Sequence, residues 1–370
     1  MPILKKIVVQ NFRNIVFQEL SFSPNINCVS GNNGVGKTNL MDAVWYLSMT
    51  KSSFSTSDRF NFRHGSDSFA LSGTYDMGDD APLVRFSVQV SSKGEKKIRR
   101  DEKAYSKAAD HIGVLPIVMV SPSDTSLVSE SGEDRRRFIN SVLSQLDREY
   151  LSSIQQYNRL LAQRNKMLKD GVRDDGLLSV FDERMDVYAR TVYDARDRFI
   201  KDLLPILSDH YASLSGGREE VSIGYNSDLG KGSLADQLRS CREKDFALGF
   251  TTVGVHRDDL VFKMDGYPIR RCGSQGQQKS FLVSLKLSQY EIMKRRYGFP
   301  PTLLLDDVFD KLDLGRIGNL LGMVAGSDFG QIFITDSNKV RMAGIVDNLT
   351  ADRAYFEADG GEFKEVSDAS

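Results

Sequence analysis

Eight residues between an apolar strand and a helix constrain the fold of this 370-residue chain more than any other segment. The run Ile26–Ser30 predicts a buried strand, and apolar residues recur at helical spacing from Leu40 onward. Between them lie Gly31, Asn32, Asn33, Gly34, Val35, Gly36, Lys37 and Thr38. A glycine-rich loop that joins a strand to a helix in this way is typical of a phosphate-binding P-loop.

The residue types in this loop suit the phosphates of ATP. Glycine at positions 31, 34 and 36 lets the backbone bend closely around an anion, with the amide N–H groups pointing inward. We expect Lys37 to contact the β- and γ-phosphates, and Thr38 to place its hydroxyl on Mg²⁺ at the start of the helix. A glycine-rich turn without a ligand is the alternative, and the flanking strand and helix argue against it. The sequence therefore predicts ATP and Mg²⁺ as cofactors.

A second apolar strand ends in two carboxylates. The run Thr302–Leu305 is followed by Asp306 and Asp307, the pattern of a Walker B element. We expect Asp306, together with Thr38, to hold Mg²⁺, and Asp307 to orient or activate the attacking water. Carboxylates at strand ends are common, so this interpretation depends on the P-loop. Lys37, Asp306 and Asp307 are the predicted catalytic residues of an ATPase.

A third segment lies just before the Walker B strand and resembles the signature element of ABC-type ATPases. It consists of Ser274, Gln275, Gly276 and Gln277 and precedes a helix predicted to start near Lys279. Such an element aims a hydroxyl, backbone amides and a helix dipole at the γ-phosphate held by a second subunit. Beyond the Walker B strand, Asp313 falls in a segment that fits the D-loop, which crosses the dimer interface in that superfamily. The motif order therefore predicts a composite ATP site.

Two residues depart from the common ABC pattern. Asp336 follows a predicted strand at a position where many ABC ATPases carry a switch histidine. Asp307 stands where many relatives have glutamate, and the shorter carboxylate reaches the attacking water less well. We therefore expect slow, switch-like hydrolysis.

Around these motifs the period of the apolar residues changes. Residues 84–90 alternate strictly and predict an antiparallel β region, whereas residues 137–214 have helical spacing and predict two long antiparallel helices. We therefore expect an α/β fold: an ABC-type P-loop ATPase head, with a mixed sheet and an antiparallel β subdomain, and an inserted α-helical lobe. The predicted boundaries are 1–136 for the N-terminal part of the head, 137–215 for the helical lobe, 216–357 for the C-terminal part of the head with signature and Walker B, and 358–370 for a flexible acidic tail.

Composition and charge limit the possible partners and the cellular compartment. A formal net charge of -1 neither demands nor excludes a nucleic-acid partner. Cys28, Cys241 and Cys272 lie far apart without the spacing of a metal site, which is typical of a reducing compartment. No apolar run approaches the roughly 18–20 residues of a membrane span. We expect a soluble, cytoplasmic protein without a membrane partner.

Six segments, in order along almost the whole chain, resemble the RecF family of SMC-like ABC ATPases. They are Asn-Phe-Arg-Asn at 11–14, the P-loop at 31–38, Arg-Arg-Arg-Phe at 135–138, Gly-Val-His-Arg-Asp-Asp-Leu at 254–260, Gly-Ser-Gln-Gly-Gln-Gln at 273–278 and Leu-Asp-Asp-Val-Phe-Asp at 305–310. Val255 departs from the family pattern, in which we expect proline. The resemblance implies ATP-dependent DNA binding, a dimer around two nucleotides and help in loading RecA at single-strand gaps. It also implies RecO and RecR as partners and a link to the SOS response and replication restart.

Basic clusters are the candidate DNA contacts. Arg135, Arg136 and Arg137 are predicted to bind backbone phosphates, and the adjoining Glu133 and Asp134 make a structural role the alternative. The other candidates are Lys96, Lys97, Arg99, Arg100, Arg59 and Arg63.

Other functions fit the pattern less well. An SMC-type structural chromosome-organising ATPase is the main alternative, but the helical insert is too short for a long arm that carries a hinge. A transporter subunit is disfavoured because the switch histidine is missing. We expect His256, Arg257 and Asp258 to have a structural role that links lobes near the nucleotide, since no activated nucleophile accompanies them.

Overall fold

The computed structural model describes residues 1–78, 81–309, 319–320, 329–339, 344, 346, 350 and 352–366. Within these residues the strands are β1 (Ile3–Phe12), β2 (Ile15–Ser21), β3 (Ile26–Ser30), β4 (Ser68–Asp76), β5 (Val84–Ser91), β6 (Lys96–Arg100), β7 (Lys103–Ala104), β8 (Ile117–Val120), β9 (Val221–Asn226), β10 (Asp259–Met264), β11 (Tyr267–Pro268), β12 (Thr302–Asp306), β13 (Ile332–Asp336), β14 (Arg353–Asp359) and β15 (Glu362–Val366). The α-helices are α1 (Lys37–Met49), α2 (Ser126–Ser129), α3 (Gly132–Leu146), α4 (Arg148–Lys169), α5 (Asp175–Ser215), α6 (Leu234–Ser240), α7 (Arg242–Leu248), α8 (Ile269–Cys272) and α9 (Gln275–Tyr297).

The chain forms two units. Unit 1 consists of Met1–Asp124 and Leu282–Ser370, and unit 2 consists of Thr125–Phe281. The predicted helical lobe, residues 137–215, lies inside unit 2, which extends beyond that lobe at both ends. The domain boundaries drawn from the sequence stay a prediction.

A mixed six-stranded sheet organises unit 1. Its strand order is β15-β14-β3-β13-β12-β8, and all neighbouring pairs are parallel except β14 and β15. Every residue of β3, β8 and β13 is buried, as expected for parallel strands that are covered on both faces. Because the parallel strands share one direction, the P-loop after β3 and the carboxylates at the end of β12 reach the same edge of the sheet.

An antiparallel sheet forms the second layer of unit 1, in the order β2-β1-β4-β5-β6-β7. Along β5, Phe86, Val88 and Val90 are buried, whereas Arg85 and Gln89 are exposed. The buried faces of both sheets and helix α1 belong to a single hydrophobic core. Both the mixed sheet and the antiparallel β region were predicted, and the fold class is confirmed.

Unit 2 contains three consecutive long helices where the sequence predicted two. The helix expected from the first apolar stripe is broken at Asp147, whose side chain accepts hydrogen bonds from the backbone N–H groups of Glu149 and Tyr150. Asp147 thus caps α4 and separates it from α3. The apolar spacing continues through this break, so periodicity alone did not reveal it.

The expected flexible tail at 358–370 is wrong for residues 358–366. There β14 ends and β15 pairs with it antiparallel, with Ala358 opposite Phe363. Both of these side chains are buried in the core of unit 1. The acidic composition of this segment predicts a frayed end. Its apolar residues, however, alternate with exposed ones and face the core. Residues 367–370 lie outside the described part of the chain.

Candidate nucleotide-binding site

The P-loop connects β3 to α1 in unit 1, and its path requires glycine. Gly31, Gly34 and Gly36 have φ values of 153°, 83° and 117°, at which an L side chain is strained. A Cβ atom on Gly31 would lie 2.5 Å from the carbonyl oxygen of Ala358. On Gly36 it would lie 2.7 Å from Nδ2 of Asn14. The loop therefore passes too close to neighbouring atoms for any larger residue at these two positions.

Asn14, in the turn between β1 and β2, supports the loop. Its Nδ2 donates a hydrogen bond of 3.0 Å to the carbonyl oxygen of Val35. Its Oδ1 accepts a bond of 2.7 Å from Nδ2 of Asn39 in α1. One side chain thus joins the loop to the helix that follows it. We had noted Asn14 only as part of a family motif, because nothing in the local sequence shows that the turn meets the loop.

Lys37 lies within the curve of the loop and is 4% exposed. Its Nζ donates to the carbonyl oxygens of Gly31 at 2.7 Å and of Asn32 at 3.1 Å. These contacts hold the ammonium group among the backbone atoms that would surround bound phosphates. This is the position that the predicted role of Lys37 requires.

The Walker B carboxylate meets the P-loop hydroxyl directly. Thr38 Oγ1 donates to Oδ2 of Asp306 at 2.9 Å. Thr335, at the end of the adjacent strand β13, donates to Oδ1 of Asp306 at 2.7 Å and accepts from the backbone N–H of Asp307 at 3.0 Å. Asp306 is 1% exposed, and burial raises the pKa of its carboxyl group while the two threonine hydrogen bonds act in the opposite direction. Thr335 was missing from the predicted site.

These oxygen atoms fit a magnesium ion. A carboxylate and a hydroxyl are ligands that Mg²⁺ prefers, and the ion usually keeps several waters and substrate phosphate oxygens. In the part of the chain that the structure describes, no group of three or more His, Cys, Asp or Glu residues could hold a metal by itself. An ion between Thr38 and Asp306 would complete its ligands with waters and nucleotide phosphate oxygens. When bound, it would neutralise phosphate charge.

A cavity of about 360 Å³ brings the predicted residues together. It is lined by Asn33, Gly34, Gly36, Lys37, Thr38, Asn39, Pro122, Asp307, Asp336 and Ser337. Asp307 has φ 45°, a left-handed backbone conformation that is uncommon outside glycine. That conformation turns the chain immediately after β12 and leaves the carboxylate at the cavity, where an attacking water would have to be held. Asp336, which stands at the position of the switch histidine of many ABC ATPases, also lines this cavity.

The signature segment begins α9 four residues earlier than predicted, at Gln275. Ser274 and Gln277 form a reciprocal cap. The backbone N–H of Ser274 donates to Oε1 of Gln277 at 2.7 Å, and the backbone N–H of Gln277 donates to Oγ of Ser274 at 3.3 Å. Ser274 and Gln275 are exposed. The spacing Ser-x-x-Gln of a capping box was readable in the sequence, and it explains why the helix starts here. The predicted D-loop residue, Asp313, lies outside the described residues.

The arginines at 135–137 are held within unit 2 by acidic and carbonyl groups. Arg135 pairs with both carboxylate oxygens of Asp259, at 2.7 and 3.0 Å. Arg136 donates to the carbonyl oxygen of Asp258 at 2.8 Å. Arg137 is half exposed and pairs with Glu133 at 3.1 Å. Their predicted contact with DNA stays a prediction, and their intramolecular contacts are those of the structural alternative.

A buried polar network surrounds the segment 256–258. Arg196 of α5 donates to Oδ2 of Asp258 at 2.6 Å, and the hydroxyl of Tyr225 donates to the same oxygen at 2.5 Å. His256 lies 2.7 Å from the hydroxyl of Tyr157 and 3.0 Å from the carbonyl oxygen of Thr251. All of these groups belong to unit 2. The network ties helices α4 and α5 to strand β9 within unit 2. A role of this segment in linking lobes stays a prediction.

A mixed sheet with a P-loop after β3, a Walker B carboxylate at the end of β12 and a capped signature segment on α9 defines the class: the chain has the head of an ABC-type P-loop ATPase. Comparison with known proteins is consistent with this class. The family model for the RecF/RecN/SMC N-terminal domain matches residues 3–353. No helix of the described residues is long and apolar enough to cross a membrane.

Two curated relatives narrow the class. The DNA replication and repair protein RecF of Porphyromonas gingivalis is 42% identical over 363 residues, which are 97% of this chain and 99% of that protein. The protein of the same name from Bacteroides thetaiotaomicron is 41% identical over 365 residues, 98% of this chain and 99% of that protein. The chain belongs to the RecF family of P-loop ATPases.

Solved structures give the same result. A structure of the recombination mediator protein RecF-ATP in the RecFOR pathway has a TM-score of 0.87 and 27% identity, and the match covers 99% of this chain and 98% of that one. The SMC head domain of Pyrococcus furiosus has a TM-score of 0.58 at 15% identity and covers 99% of this chain and 96% of that one. The second likeness shows a shared fold alone.

Proposed function

We propose that two copies of this chain close around ATP and bind gapped DNA in that state. In the cytoplasm, the dimer would help to load RecA together with RecO and RecR during recombinational repair and replication restart. The names of the relatives support this proposal, since they describe a DNA replication and repair protein and a recombination mediator of the RecFOR pathway. A role in the SOS response is part of the same proposal.

One observation is the main support for a composite ATP site. The same chain presents a cavity lined by Lys37, Thr38 and Asp307 and, separately, an exposed helix start at Ser274. The cap on that helix start uses Oγ of Ser274 as an acceptor, so its hydroxyl proton remains available to an anion. In an ABC-type arrangement, the cavity of one copy would receive the signature segment Ser274–Gln277 of the other.

Four residues of the predicted site have separate roles in the proposed hydrolysis. Asp306 and Thr38 would hold Mg²⁺ and keep the phosphates in place, and Lys37 would neutralise their charge. Asp307 would orient the attacking water. Its short carboxylate, and Asp336 in place of a switch histidine, support slow hydrolysis that DNA accelerates.

DNA binding is supported by an exposed basic face of the antiparallel sheet. Lys97 and Arg99 lie on β6 opposite Gln89 and Ser87 of β5, on the face away from the buried Ile98. Neither basic side chain has a hydrogen bond or ion pair to another described residue. Arg135, by contrast, is held by Asp259. We therefore place the phosphate contacts on β6 first and expect Arg137, the most exposed of the three arginines, to contribute next.

Sedimentation with and without ATP and Mg²⁺ tests the dimer. Wild type should sediment as a dimer with ATP, whereas the Lys37→Arg and Ser274→Arg variants should remain monomeric. If either variant dimerises as wild type does, the composite site is wrong.

Binding to gapped duplex, plain duplex and single-stranded DNA, each with and without ATP, tests the DNA partner. The double variant Lys97→Ala and Arg99→Ala should lose about tenfold in affinity and reduce the salt slope by about 2. The charge-matched control is the double variant Arg198→Ala and Lys201→Ala on helix α5, which should bind as wild type does. Equal losses in the two double variants would refute the placement on β6, and DNA binding that does not depend on ATP would refute the repair function.

A further inference from the structure

Gln277 does more than complete the cap on helix α9. Its side-chain amide uses both of its ends: Oε1 accepts from the backbone N–H of Ser274 at 2.7 Å, and Nε2 donates to Oε1 of Glu219 at 2.8 Å. Rotating the amide by half a turn would bring its oxygen against the carboxylate and its N–H₂ against an N–H donor. The carboxylate of Glu219 therefore fixes which way the amide faces.

Glu219 is itself held in place. The next residue, Glu220, donates its backbone N–H to Oδ1 of Asp265 at 2.9 Å and accepts from the backbone N–H of Asp265 at 2.8 Å. Strand β9 then begins at Val221, which pairs with Met264 of β10. The carboxylate thus stands at the end of a paired strand, whereas Ser274 and Gln275 are exposed. Glu219 is therefore the better anchored of the two groups, and it can position the signature segment.

The closed cap is also the conformation that can contact an anion. While the backbone N–H of Gln277 donates to Oγ of Ser274, the hydroxyl proton of Ser274 points elsewhere. An open cap would leave the backbone N–H of Ser274 without Oε1 of Gln277 and would let the first turn of the helix fray. Holding the cap closed therefore keeps the serine hydroxyl at a defined place at the helix start.

We propose that Glu219 is a positioning residue for the signature segment: through the amide of Gln277 it holds Ser274 in the conformation that receives the γ-phosphate bound by the other copy. This inference rests on the ATP-driven dimer proposed above. Nothing in the sequence motif points to Glu219, which lies 55 residues before Ser274 in a Gly-rich and charged stretch. A hydrogen-bond acceptor is what the role requires, so the charge of the carboxylate is not essential to it.

The test compares three variants of the full chain, Glu219→Ala, Glu219→Gln and the matched control Glu220→Ala. Glu220 is exposed, and its replacement removes the same charge one residue away. The dimerisation constant is measured by sedimentation with ATP and Mg²⁺. ADP affinity is measured in parallel, because ADP reports on the P-loop of a single chain and shows that each variant is folded.

We expect Glu219→Ala to weaken ATP-dependent dimerisation about tenfold while ADP binding is unchanged. Glu219→Gln, which keeps an acceptor oxygen for Nε2 of Gln277, should dimerise nearly as wild type, and Glu220→Ala should be indistinguishable from it. If Glu219→Ala dimerises as wild type does, the positioning role is refuted. If Glu219→Gln is as weak as Glu219→Ala, or if Glu219→Ala dimerises more strongly, charge rather than position is decisive and the inference also fails. A wild type that does not dimerise with ATP would instead refute the proposed function itself.

Discussion

The hydroxyl of Thr38 donates a hydrogen bond of 2.9 Å to the buried carboxylate of Asp306, although 268 residues separate the two in the chain. The strand that bears Asp306, β12, and the strand that precedes the P-loop, β3, both pair in parallel with β13. Their carboxyl ends therefore meet at one edge of the sheet. The contact places a hydroxyl and a carboxylate where a magnesium ion and nucleotide phosphates would be shared between them.

Replacing Asp306 by asparagine tests that site. Asparagine keeps the shape of the side chain but removes the charge, so we expect Mg²⁺-dependent ATP hydrolysis to fall by about a hundredfold or more. The measurement is steady-state hydrolysis across a Mg²⁺ titration. Asp194→Asn, an exposed position on α5, is the control and should hydrolyse ATP as wild type does. Activity that survives Asp306→Asn would show that the metal is held elsewhere.

Thr335 connects the two carboxylates and gives a second prediction. Its one hydroxyl donates to Asp306 at 2.7 Å and accepts from the backbone N–H of Asp307 at 3.0 Å. Thr335→Val has nearly the same volume but makes neither bond, so we expect kcat to fall about tenfold with ADP affinity nearly unchanged. Thr335→Ser keeps the hydroxyl and should retain most of the activity. Equal kcat in the valine and serine variants would contradict this role.

Arg13 makes a third prediction, about stability. Its Nη2 donates to Oδ2 of Asp42 at 2.8 Å and to Oγ of Ser52 at 3.0 Å, and the carboxylate of Asp42 is fully buried. Arg13→Ala leaves that carboxylate without its cation, with hydrogen bonds from Ser52 and Ser53 alone, so we expect the free energy of unfolding to fall by about 3 kcal/mol. Urea unfolding measures the loss.

The double variant Arg13→Ala and Asp42→Asn supplies the control for that prediction. Because it removes the buried charge together with its partner, it should be less destabilised than the sum of the two single variants. A strictly additive result would mean that Arg13 and Asp42 do not stabilise each other.

The fourth prediction concerns pH and His256. The carbonyl oxygen of Thr251 can only accept, so Nε2 of His256 carries the proton and Nδ1 accepts from the hydroxyl of Tyr157. Burial of this neutral ring lowers the pKa of His256 to about 4. In the unfolded chain His256 has the ordinary histidine pKa of about 6.5. Between these two pKa values the unfolded state binds a proton that the folded state does not, so the free energy of unfolding falls as pH falls.

The full loss from His256 is on the order of 3 kcal/mol once the pH is below both pKa values. Unfolding free energies at about pH 7 and about pH 5 should therefore differ more in wild type than in His256→Gln, which has no titratable ring at this position. The contribution of His256 is the difference between the pH dependence of wild type and that of the variant, because the pH dependence of either protein alone includes other groups. If the unfolding free energies of the two proteins change equally between these pH values, other groups cause the pH dependence.

Much of the architecture could be predicted from local pattern. Buried strands at β3 and β13 were predicted from their mainly apolar residues, and the antiparallel sheet from strict alternation along β5. The break between α3 and α4 was missed because the apolar period runs through Asp147, and only its capping bonds reveal it. The pairing of β15 was missed because acidic composition concealed Phe363, which is buried. Average polarity is a poor guide where alternate residues face a core.

The sequence by itself determined the chemistry of single segments: the glycines that let the P-loop bend, the lysine and threonine that end it, the carboxylates after an apolar strand and the Ser-x-x-Gln cap of α9. Each depends on backbone conformation within a few residues, which local sequence controls. Only the tertiary structure decided which distant groups meet. Thr335 beside Asp306, Asp259 beside Arg135 and Glu219 beside Gln277 are all contacts between separate elements. Strand order and packing set those distances, and neither is encoded in the spacing of any one motif.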